Sequence, residues 1–292
     1  KNILVQKTRK PICNVPVIIK GNYYAKSQGL IIEDSELSTF LQKEPKASKW
    51  IKKHIGANEF INSKERYCLW LVDCPPNELR NMPFVMERIN QVKEDRLRST
   101  DKAMQNLAPT VFRETNNPDK CLVIPVVSSE RRKYIPIGFI GKDTVSTNSN
   151  LIMPNATLYH FGHLTSEMHM SWVKYTCGRL ESRFRYSKDI VYNNYPWPKD
   201  PSAKNKENVE KKAQKVLDVR AEFPDSSLAD LYDPLTMPPK LVKAHQELDK
   251  AVDLCYRPQP FPNETARIEF LFDLYSEYIS GLFGEGKKGK KK

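Results

Sequence analysis

The stretch Pro196-Trp-Pro-Lys-Asp-Pro201 divides the sequence into two parts with different patterns. Three prolines in six residues cannot continue a helix or a central strand, because proline lacks the backbone N–H that both need. Before this stretch short apolar runs alternate with helical segments, whereas after it apolar residues recur at helical spacing. We therefore predict an α+β fold, in which a mixed α/β domain at residues 1–196 is followed by a small α-helical domain at residues 197–284.

In the first part, three apolar runs are predicted to form strands and three segments to form helices. The predicted strands are residues 67–73, 120–127 and 134–140. Prolines inside the last two favour a sheet edge or a bulge. The predicted helices are residues 35–41, 46–55 and 84–99. Gly56 is expected to end the second helix, and Asn77 is expected to cap a short helical turn.

In the second part, three apolar stripes at helical spacing predict three helices that pack into a core. The stripes are Val209, Ala213, Val216, Leu217 and Arg220; Leu241, Ala244, Leu248, Ala251 and Cys255; and Ile268, Leu271, Tyr275 and Tyr278. Asn263 or Thr265 is expected to cap the third helix. The tail at residues 285–292 is rich in lysine and is expected to be disordered, because like charges repel one another.

Composition limits the classes of protein to which the chain can belong. Its 292 residues suffice for about two domains, and no apolar run approaches the roughly 20 residues that a membrane-spanning helix needs. Six cysteines occur without a Cys-x-x-Cys pair and without an export signal, so we expect reduced thiols and a cytoplasmic protein. The sequence begins with Lys1 rather than Met, which suggests a fragment of a longer protein.

The net charge of +12 favours a polyanionic partner, and the charge is unevenly distributed. Residues 120–189 contain ten basic and five acidic residues, whereas residues 223–282 contain five basic and ten acidic residues. Residues 1–30 add six basic residues and no acid. This distribution indicates two parts with different tasks.

Motifs for catalysis are incomplete. The sequence has no Gly-x-Gly-x-x-Gly or Gly-x-x-x-x-Gly-Lys-Ser/Thr phosphate loop and no Gly-x-Ser-x-Gly elbow. His160, His163 and His169 lie close in sequence but lack the spacing of a His-Glu-x-x-His metal site, so aromatic-rich packing is the better interpretation. Asp34 with Glu44-Pro-Lys46 has the residue types of a metal-dependent nuclease, although the proline would interrupt the strand that should present them.

The informative segments are basic and aromatic. Ser128-Ser-Glu-Arg-Arg-Lys-Tyr134 places three cations between predicted strands, and Gly178-Arg-Leu-Glu-Ser-Arg-Phe-Arg-Tyr186 interleaves four charges with two aromatic rings. In an extended segment, Glu181 and Arg183 would point to the same side. Because Arg can bind guanine O6 and N7 and Glu can accept from cytosine N4, such a pair could read a C·G base pair in the major groove.

Long strings typical of one protein family run through nearly the whole chain. They are Glu59-Phe-Ile-Asn62, Cys68-Leu-Trp-Leu-Val-Asp73, Val127-Ser-Ser-Glu-Arg-Arg-Lys-Tyr-Ile-Pro-Ile-Gly-Phe139, Pro154-Asn-Ala-Thr-Leu-Tyr-His-Phe-Gly162, Met168-His-Met170, Cys177-Gly-Arg-Leu180, Tyr186-Ser187, Ile190-Val-Tyr-Asn-Asn194, Pro196-Trp-Pro198 and Ala229-Asp-Leu-Tyr-Asp-Pro-Leu-Thr-Met-Pro-Pro239. In these strings the chain resembles the C-terminal part of MmeI-type restriction-modification proteins. Those proteins join a nuclease, an adenine methyltransferase and a target recognition domain in one polypeptide.

The resemblance implies a target recognition domain at residues 1–196, followed by a helical C-terminal domain that packs along bound DNA or the other domains. It also implies base-reading residues. Glu181 and Arg183 match a pair for which family members carry Lys and Asp as the alternative, a swap that fits a reversed base pair. Asn148 and Ser149 match a second reading site that works with the position of Val126. Val126 departs from the charged residue often found at that position.

Further cations are expected to bind DNA phosphates, because most protein–DNA hydrogen bonds go to the backbone. These residues are Arg131, Arg132, Lys133, Arg179 and Arg185.

The resemblance implies that the whole protein is a site-specific DNA adenine methyltransferase with endonuclease activity, which uses S-adenosylmethionine and, for cleavage, Mg²⁺. This chain itself is expected to hold no cofactor, metal or catalytic residue. Its expected partners are double-stranded DNA and an upstream methyltransferase domain of the same polypeptide, and no membrane. Two alternatives are a basic module that docks on an acidic protein and a metal-dependent nuclease fragment built on Asp34 and Glu44.

Overall fold

A computed structural model describes residues 3–24 and 26–284 of the chain, with side chains described as far as residue 281. The tail predicted to be disordered, residues 285–292, lies outside the described residues. Among the described residues, no helix is both long and apolar enough to cross a membrane.

Strands and helices alternate in the first two thirds of the chain, and helices alone follow. The strands are β1 (Ile19–Lys20), β2 (Ile31–Glu33), β3 (Ile51–Ile55), β4 (Arg66–Leu69), β5 (Lys120–Pro125), β6 (Val127–Ser128), β7 (Gly138–Gly141), β8 (Thr144–Ser146), β9 (Asn150–Pro154), β10 (Gly178–Leu180) and β11 (Arg183–Arg185). The α-helices are α1 (Asp34–Lys43), α2 (Ala57–Asn62), α3 (Pro76–Arg80), α4 (Pro83–Leu97), α5 (Lys102–Gln105), α6 (Leu158–Leu164), α7 (Glu167–Thr176), α8 (Ala203–Ala221), α9 (Leu228–Leu231), α10 (Pro239–Tyr256) and α11 (Glu264–Gly284). This order confirms the predicted α+β class, with a mixed part before a helical part.

Contacts divide the chain into two compact units. Among the described residues, the hairpin unit contains residues 3–19, 124–138 and 153–284, and the sheet unit contains residues 20–24, 26–123 and 139–152. This division follows contacts rather than chain order. The domain boundary predicted near residue 196 therefore stays a prediction.

Within residues 3–24 and 26–284, the strands form three sheets. Their orders are β1-β9-β5-β7, β2-β4-β3-β8 and β10-β11-β6. In the second sheet, β4 pairs antiparallel with both β2 and β3, and β3 pairs in parallel with β8. Apolar residues of β4 and α4, such as Leu69, Val85 and Val92, belong to the buried core of the sheet unit.

The predicted apolar stripes form the helical core of the hairpin unit. Val209, Ala213 and Val216 of α8 are buried, as are all five stripe residues of α10. Helix α6 comes very close to α8 at Gly162, where a Cβ atom would lie 2.7 Å from a methyl carbon of Val209. Asn263, one of the two predicted caps, begins α11 by accepting from the N–H of Ala266 at 2.9 Å.

One helix prediction in the sheet unit was wrong. Residues 46–55 were expected to form a helix, but a 3-10 helix at Pro45–Trp50 leads into strand β3. Pairing with β4 and β8 on both sides of β3 outweighs the local helical pattern, because tertiary contacts override weak propensity. Gly56, expected to end that helix, instead precedes α2, where its N–H donates to Glu59 Oε2 at 2.8 Å.

Four further segments are shorter, interrupted or differently capped than predicted. The strand predicted at 67–73 leaves the sheet after Leu69, and the strand predicted at 134–140 begins only at Gly138. The run at 120–127 is interrupted by a bend at Val126, directly after a proline that lacks a donor. Asn77 lies inside α3, since Pro76 takes the first helical position that suits proline.

Candidate nucleic-acid interface

The two predicted base readers Glu181 and Arg183 lie at the tip of a β-hairpin. Strands β10 and β11 pair antiparallel with Leu180 opposite Arg183, so Glu181 and Ser182 form a two-residue loop. Glu181 has φ 57, the left-handed conformation that such loops favour at their first position. The assumption of an extended segment was therefore wrong, because the chain reverses at Glu181.

The turn nevertheless brings the two charges together. Arg183 Nη2 lies 2.7 Å from Glu181 Oε2, and the side chains are 46% and 77% exposed. An exposed pair of this kind stabilises the fold by well under about 1 kcal/mol. Both groups can therefore exchange this partner for another at little cost.

Alternation along β11 separates a buried side chain from two exposed cations. Arg183 and Arg185 are exposed, whereas Phe184 between them is buried. Arg179 of the paired strand lies over the Phe184 ring, with its Cζ atom 4.1 Å from the ring centroid, and donates to Ser182 O at 3.1 Å. The hairpin thus presents three guanidinium groups around its tip and base.

The hairpin is anchored in the core of its unit. Tyr186 is buried directly after β11, and its hydroxyl lies 3.0 Å from His169 Nε2. Burial lowers the pKa of His169 to about 3, so the imidazole is neutral at pH 7. The tip of the hairpin is therefore exposed, while the base of the hairpin is fixed in the core.

Val126 is brought to the same three-stranded sheet. The residue lies at the bend between β5 and β6, where its carbonyl accepts from Tyr186 N at 2.7 Å. Strand β6 then pairs with β11, with Val127 opposite Arg185. The sequence analysis placed Val126 among the base readers but did not place it next to the hairpin.

The basic turn, residues 129–133, follows β6, and its three cations differ in their surroundings. Arg131 is exposed. Arg132 is half-buried, and burial lowers its pKa while Asp233 opposes that change. Lys133 is paired with Glu167. Arg131 is thus the cation of this turn that is most available to an external anion.

Glu130 is a charged residue at this site that the sequence analysis left without a role. Hydrogen bonds from its own backbone N–H and from the Ser182 side chain lower its pKa, with help from the charges of Arg131 and Arg179. It therefore connects the basic turn with the hairpin loop. The signal for Glu130 that the sequence offered was an acidic residue beside a run of basic residues.

The remaining predicted base readers, Asn148 and Ser149, lie in the sheet unit, in the tight turn between β8 and β9. Both residues are exposed, but the Ser149 hydroxyl is already engaged. It accepts from Ala57 N at 2.8 Å and lies 2.8 Å from Thr147 Oγ1. No side-chain hydrogen bond of Asn148 is present within the described part of the chain, so its amide is available.

Two buried asparagines stabilise this turn through hydrogen bonds. Asn22 is fully buried and donates to Asn116 O at 2.7 Å and to Ser146 O at 3.1 Å. Its backbone carbonyl accepts from Asn148 N at 3.0 Å. Asn150 is also fully buried and donates to Ser146 Oγ at 3.2 Å. Two isolated asparagines in a polar stretch carry no signal in the sequence that would have revealed this role.

Neither metal alternative finds support in the described residues. They contain no group of three or more His, Cys, Asp or Glu side chains that could hold a metal ion. Burial lowers the pKa of His163 to about 3, and His160 Nδ1 accepts from the backbone N–H of Thr157 at 3.1 Å at the start of α6. Asp34 opens α1, whereas buried Glu44 follows its end and accepts from Phe84 N at 3.2 Å.

Comparison with known proteins gives matches over almost the whole chain. Residues 1–199 match the family model of the MmeI target recognition domain, and residues 201–283 match that of the MmeI C-terminal domain. A curated relative, DNA methyltransferase A of Bacillus subtilis (strain 168), is 40% identical over 280 residues, which are 95% of this chain and 32% of the relative.

A solved structure is also similar. It is that of the Type IIL restriction-modification enzyme MmeI in complex with DNA, which matches with a TM-score of 0.91 and 41% identity. The match covers 96% of this chain and 38% of that chain. The chain thus spans about a third of the length of the proteins it matches.

Proposed function

Because this chain belongs to the MmeI target recognition and C-terminal domain families, as the sequence analysis predicted, we propose that it recognises a specific sequence in duplex DNA as part of a restriction-modification enzyme. The solved relative of 41% identity was determined in complex with DNA, which supports duplex DNA as the partner. The net charge of +12 also favours a polyanion.

The observation that carries this proposal is the exposed hairpin tip with its paired Glu181 and Arg183. A two-stranded ribbon fits the major groove of B-DNA. There, Arg183 would donate to guanine O6 and N7, and Glu181 would accept from cytosine N4, so that the two side chains read one C·G pair. The proposal is supported by the ion pair of 2.7 Å, in which the donor group and the acceptor group lie side by side.

Base reading also involves Val126 in the hairpin unit and Asn148 with Ser149 in the sheet unit. An asparagine amide can bind adenine N6 and N7 with two hydrogen bonds, and the Asn148 side chain is exposed. Ser149 keeps only part of its hydrogen-bonding capacity, so Asn148 supplies most of the discrimination at this turn.

Phosphate contacts supply affinity that is independent of sequence. Exposed Arg131 of the basic turn and exposed Arg179 and Arg185 of the hairpin are the main contributors. Arg132 and Lys133 have neighbours within the protein, Asp233 and Glu167, so their contribution to phosphate binding is smaller.

In the whole enzyme, the chain would be the part that selects the site. We assign residues 1–196 to target recognition and residues 197–284 to a helical C-terminal domain. An upstream domain would transfer a methyl group from S-adenosylmethionine to adenine, which requires a flipped base. A fused endonuclease with Mg²⁺ would cleave in the same cytoplasmic enzyme. The sequence of this chain has no Gly-rich cofactor loop, so S-adenosylmethionine would be held upstream.

Selection from a randomised duplex pool tests the proposal. The wild-type chain is compared with the Glu181→Lys/Arg183→Asp variant at moderate salt. We expect the wild type to enrich one motif and the variant to change it at a single base pair, because the swap reverses donor and acceptor. An unchanged motif would show that these residues do not read bases. No salt-dependent binding to any duplex would favour docking on an acidic protein instead.

A further inference from the structure

Buried polar side chains fasten the segment at residues 127–137, which contains the basic turn, to helix α10. Tyr134 donates its hydroxyl to Asp249 Oδ2 at 2.6 Å. Its ring stacks on His245, with the two ring centroids 4.1 Å apart. All three residues are buried, and Asp249 and His245 both belong to α10. The position of Tyr134 is therefore set by α10.

Asp249 receives a second hydrogen bond, from the backbone N of Glu167 at 2.8 Å. The two donors occupy its two carboxylate oxygens. Burial and the nearby charge of Glu167 raise its pKa to about 7. A buried carboxylate that lacks a directly paired cation lowers stability relative to a neutral side chain.

Other residues of the same segment are fastened as well. Lys133 pairs with Glu167 at the start of α7, and Ile137 O accepts from Arg220 Nη1 of α8 at 2.6 Å. Within the part of the chain that the structure describes, Arg131 is exposed and makes no ion pair. The segment thus directs one cation outward while the residues after it are held inside.

The other end of the segment is joined to the hairpin. Strand β6 pairs with β11, with Ser128 opposite Phe184 and Val127 opposite Arg185. The basic turn is therefore held between two fixed points, the hairpin on one side and the helices α7, α8 and α10 on the other.

We propose that Tyr134 and Asp249 are positioning residues for DNA binding, which hold the basic turn so that the guanidinium of Arg131 reaches a DNA phosphate. The proposal rests on the proposed function and gives α10 a part in it. Arg131 makes the contact, and the buried pair acts only through Arg131. The pair therefore affects affinity for every sequence alike and leaves the choice of base unchanged.

Two variants weaken the link with minimal change of shape. Tyr134→Phe keeps the ring and its stack on His245 and loses only the hydroxyl. Asp249→Asn keeps the volume and loses the charge. Glu247→Gln is the matched control, because it also removes one negative charge from α10, where Glu247 pairs with Lys212.

Binding of the 292-residue chain to a short duplex of mixed sequence is measured over a range of salt concentrations. We expect Tyr134→Phe and Asp249→Asn each to weaken binding about tenfold, the effect of one lost hydrogen bond to a charged group. The salt slope should fall by about 1, as for one lost phosphate contact. Glu247→Gln should bind as tightly as the wild type or more tightly.

A double-mutant cycle separates positioning from general damage. If Tyr134 acts through Arg131, then adding Tyr134→Phe to Arg131→Ala should weaken binding by less than about twofold more. Thermal unfolding at pH 8 should show Asp249→Asn with a Tm within about 3 °C of the wild type or above it, since a buried charge is removed. If Tyr134→Phe does not fold cooperatively, Asp249→Asn takes its place in the cycle.

Additive losses in the cycle, or unchanged binding by both variants while the wild type binds, would overturn the positioning role alone. A wild-type chain that binds no duplex at any salt concentration would overturn the proposed function and the positioning role together.

Discussion

The hairpin loop at Glu181 and the turn at Asn148 carry the proposed base readers, but they are built in opposite ways. The hairpin tip is exposed, and its two charged side chains pair with each other. The turn at Asn148 lies on the fully buried amides of Asn22 and Asn150. This difference suggests that the hairpin tolerates exchange of its readers, whereas the turn tolerates change only at its outermost residue.

The largest effect on stability is expected from a substitution that crowds the base of the turn at Asn148. In Gly21→Ala, the new Cβ atom would lie 2.1 Å from Thr147 O, so the backbone would have to move. We expect the free energy of unfolding to fall by at least about 3 kcal/mol in urea titrations. Gly141→Ala in strand β7 is the control, because its nearest neighbouring atom lies at 3.7 Å. Equal effects of the two substitutions would contradict the tight packing of the turn.

Acid should weaken both regions, because each rests on a buried neutral histidine. Burial lowers the pKa of His169 under the hairpin and of His54, opposite Val145 of β8, from 6.5 to about 3. The unfolded chain therefore binds more protons below pH 6.5. The stability that each neutral histidine contributes is fully present above pH 6.5 and is lost as the pH falls toward 3. Between pH 7 and 5 we expect a loss of about 2 kcal/mol per histidine.

Hydrogen exchange at pH 7 and pH 5 reports the two regions separately. Protection should fall both in β10, β11 and β6 and in β3 and β8. The raised pKa of Asp249 has the opposite effect on stability. Between pH 3.8 and about 7, the folded chain binds more protons at Asp249 than the unfolded chain does. Asp249→Asn should therefore lose more stability on acidification than the wild type. Protection lost in only one region would mean that the other histidine is not held neutral.

Within the turn, we expect Asn148 to affect base preference and Ser149 to affect stability. Ser149→Ala removes the acceptor of the Ala57 N–H and should lower the free energy of unfolding by about 1 kcal/mol. Asn148→Ala should leave stability within about 0.5 kcal/mol and relax the preference at one base pair. Urea unfolding and duplex selection measure the two effects. A stronger effect of Ser149→Ala on preference would reverse these roles.

The smallest effect on stability is expected at the hairpin tip. Glu181→Lys/Arg183→Asp keeps an exposed pair of opposite charges and should change the free energy of unfolding by less than about 0.5 kcal/mol. The same substitution should change base preference. A large loss of stability would show that the tip, like the turn, is fixed by its side chains.

Local patterns predicted much of the fold but not the long-range links. The stripes of α8 and α10 follow from helical spacing and are buried as expected. Residues 46–55 were misassigned, because β3 owes its strand conformation to β4 and β8 on either side of it. Likewise, Tyr134 lies outside a strand, where its hydroxyl bonds Asp249, 115 positions away, which no local pattern encodes.

For the candidate site, the sequence predicted which residues take part better than it predicted their geometry. The proximity of Glu181 and Arg183 was expected, but it arises from a left-handed turn instead of an extended strand. The participation of Glu130 and the engagement of the Ser149 hydroxyl depend on partners distant in sequence, Ser182 and Ala57. Such partners become visible only in the folded chain.

The central claim is that the hairpin tip and the turn are two separate elements of base recognition. Parallel selections from one randomised duplex pool test it most directly, with the wild type, Glu181→Lys/Arg183→Asp and Asn148→Ala. We predict that each variant changes a different base pair of the same enriched motif and leaves the other base pair as in the wild type. Variants that change the same base pair, or that leave the motif unchanged while binding persists, would contradict the claim.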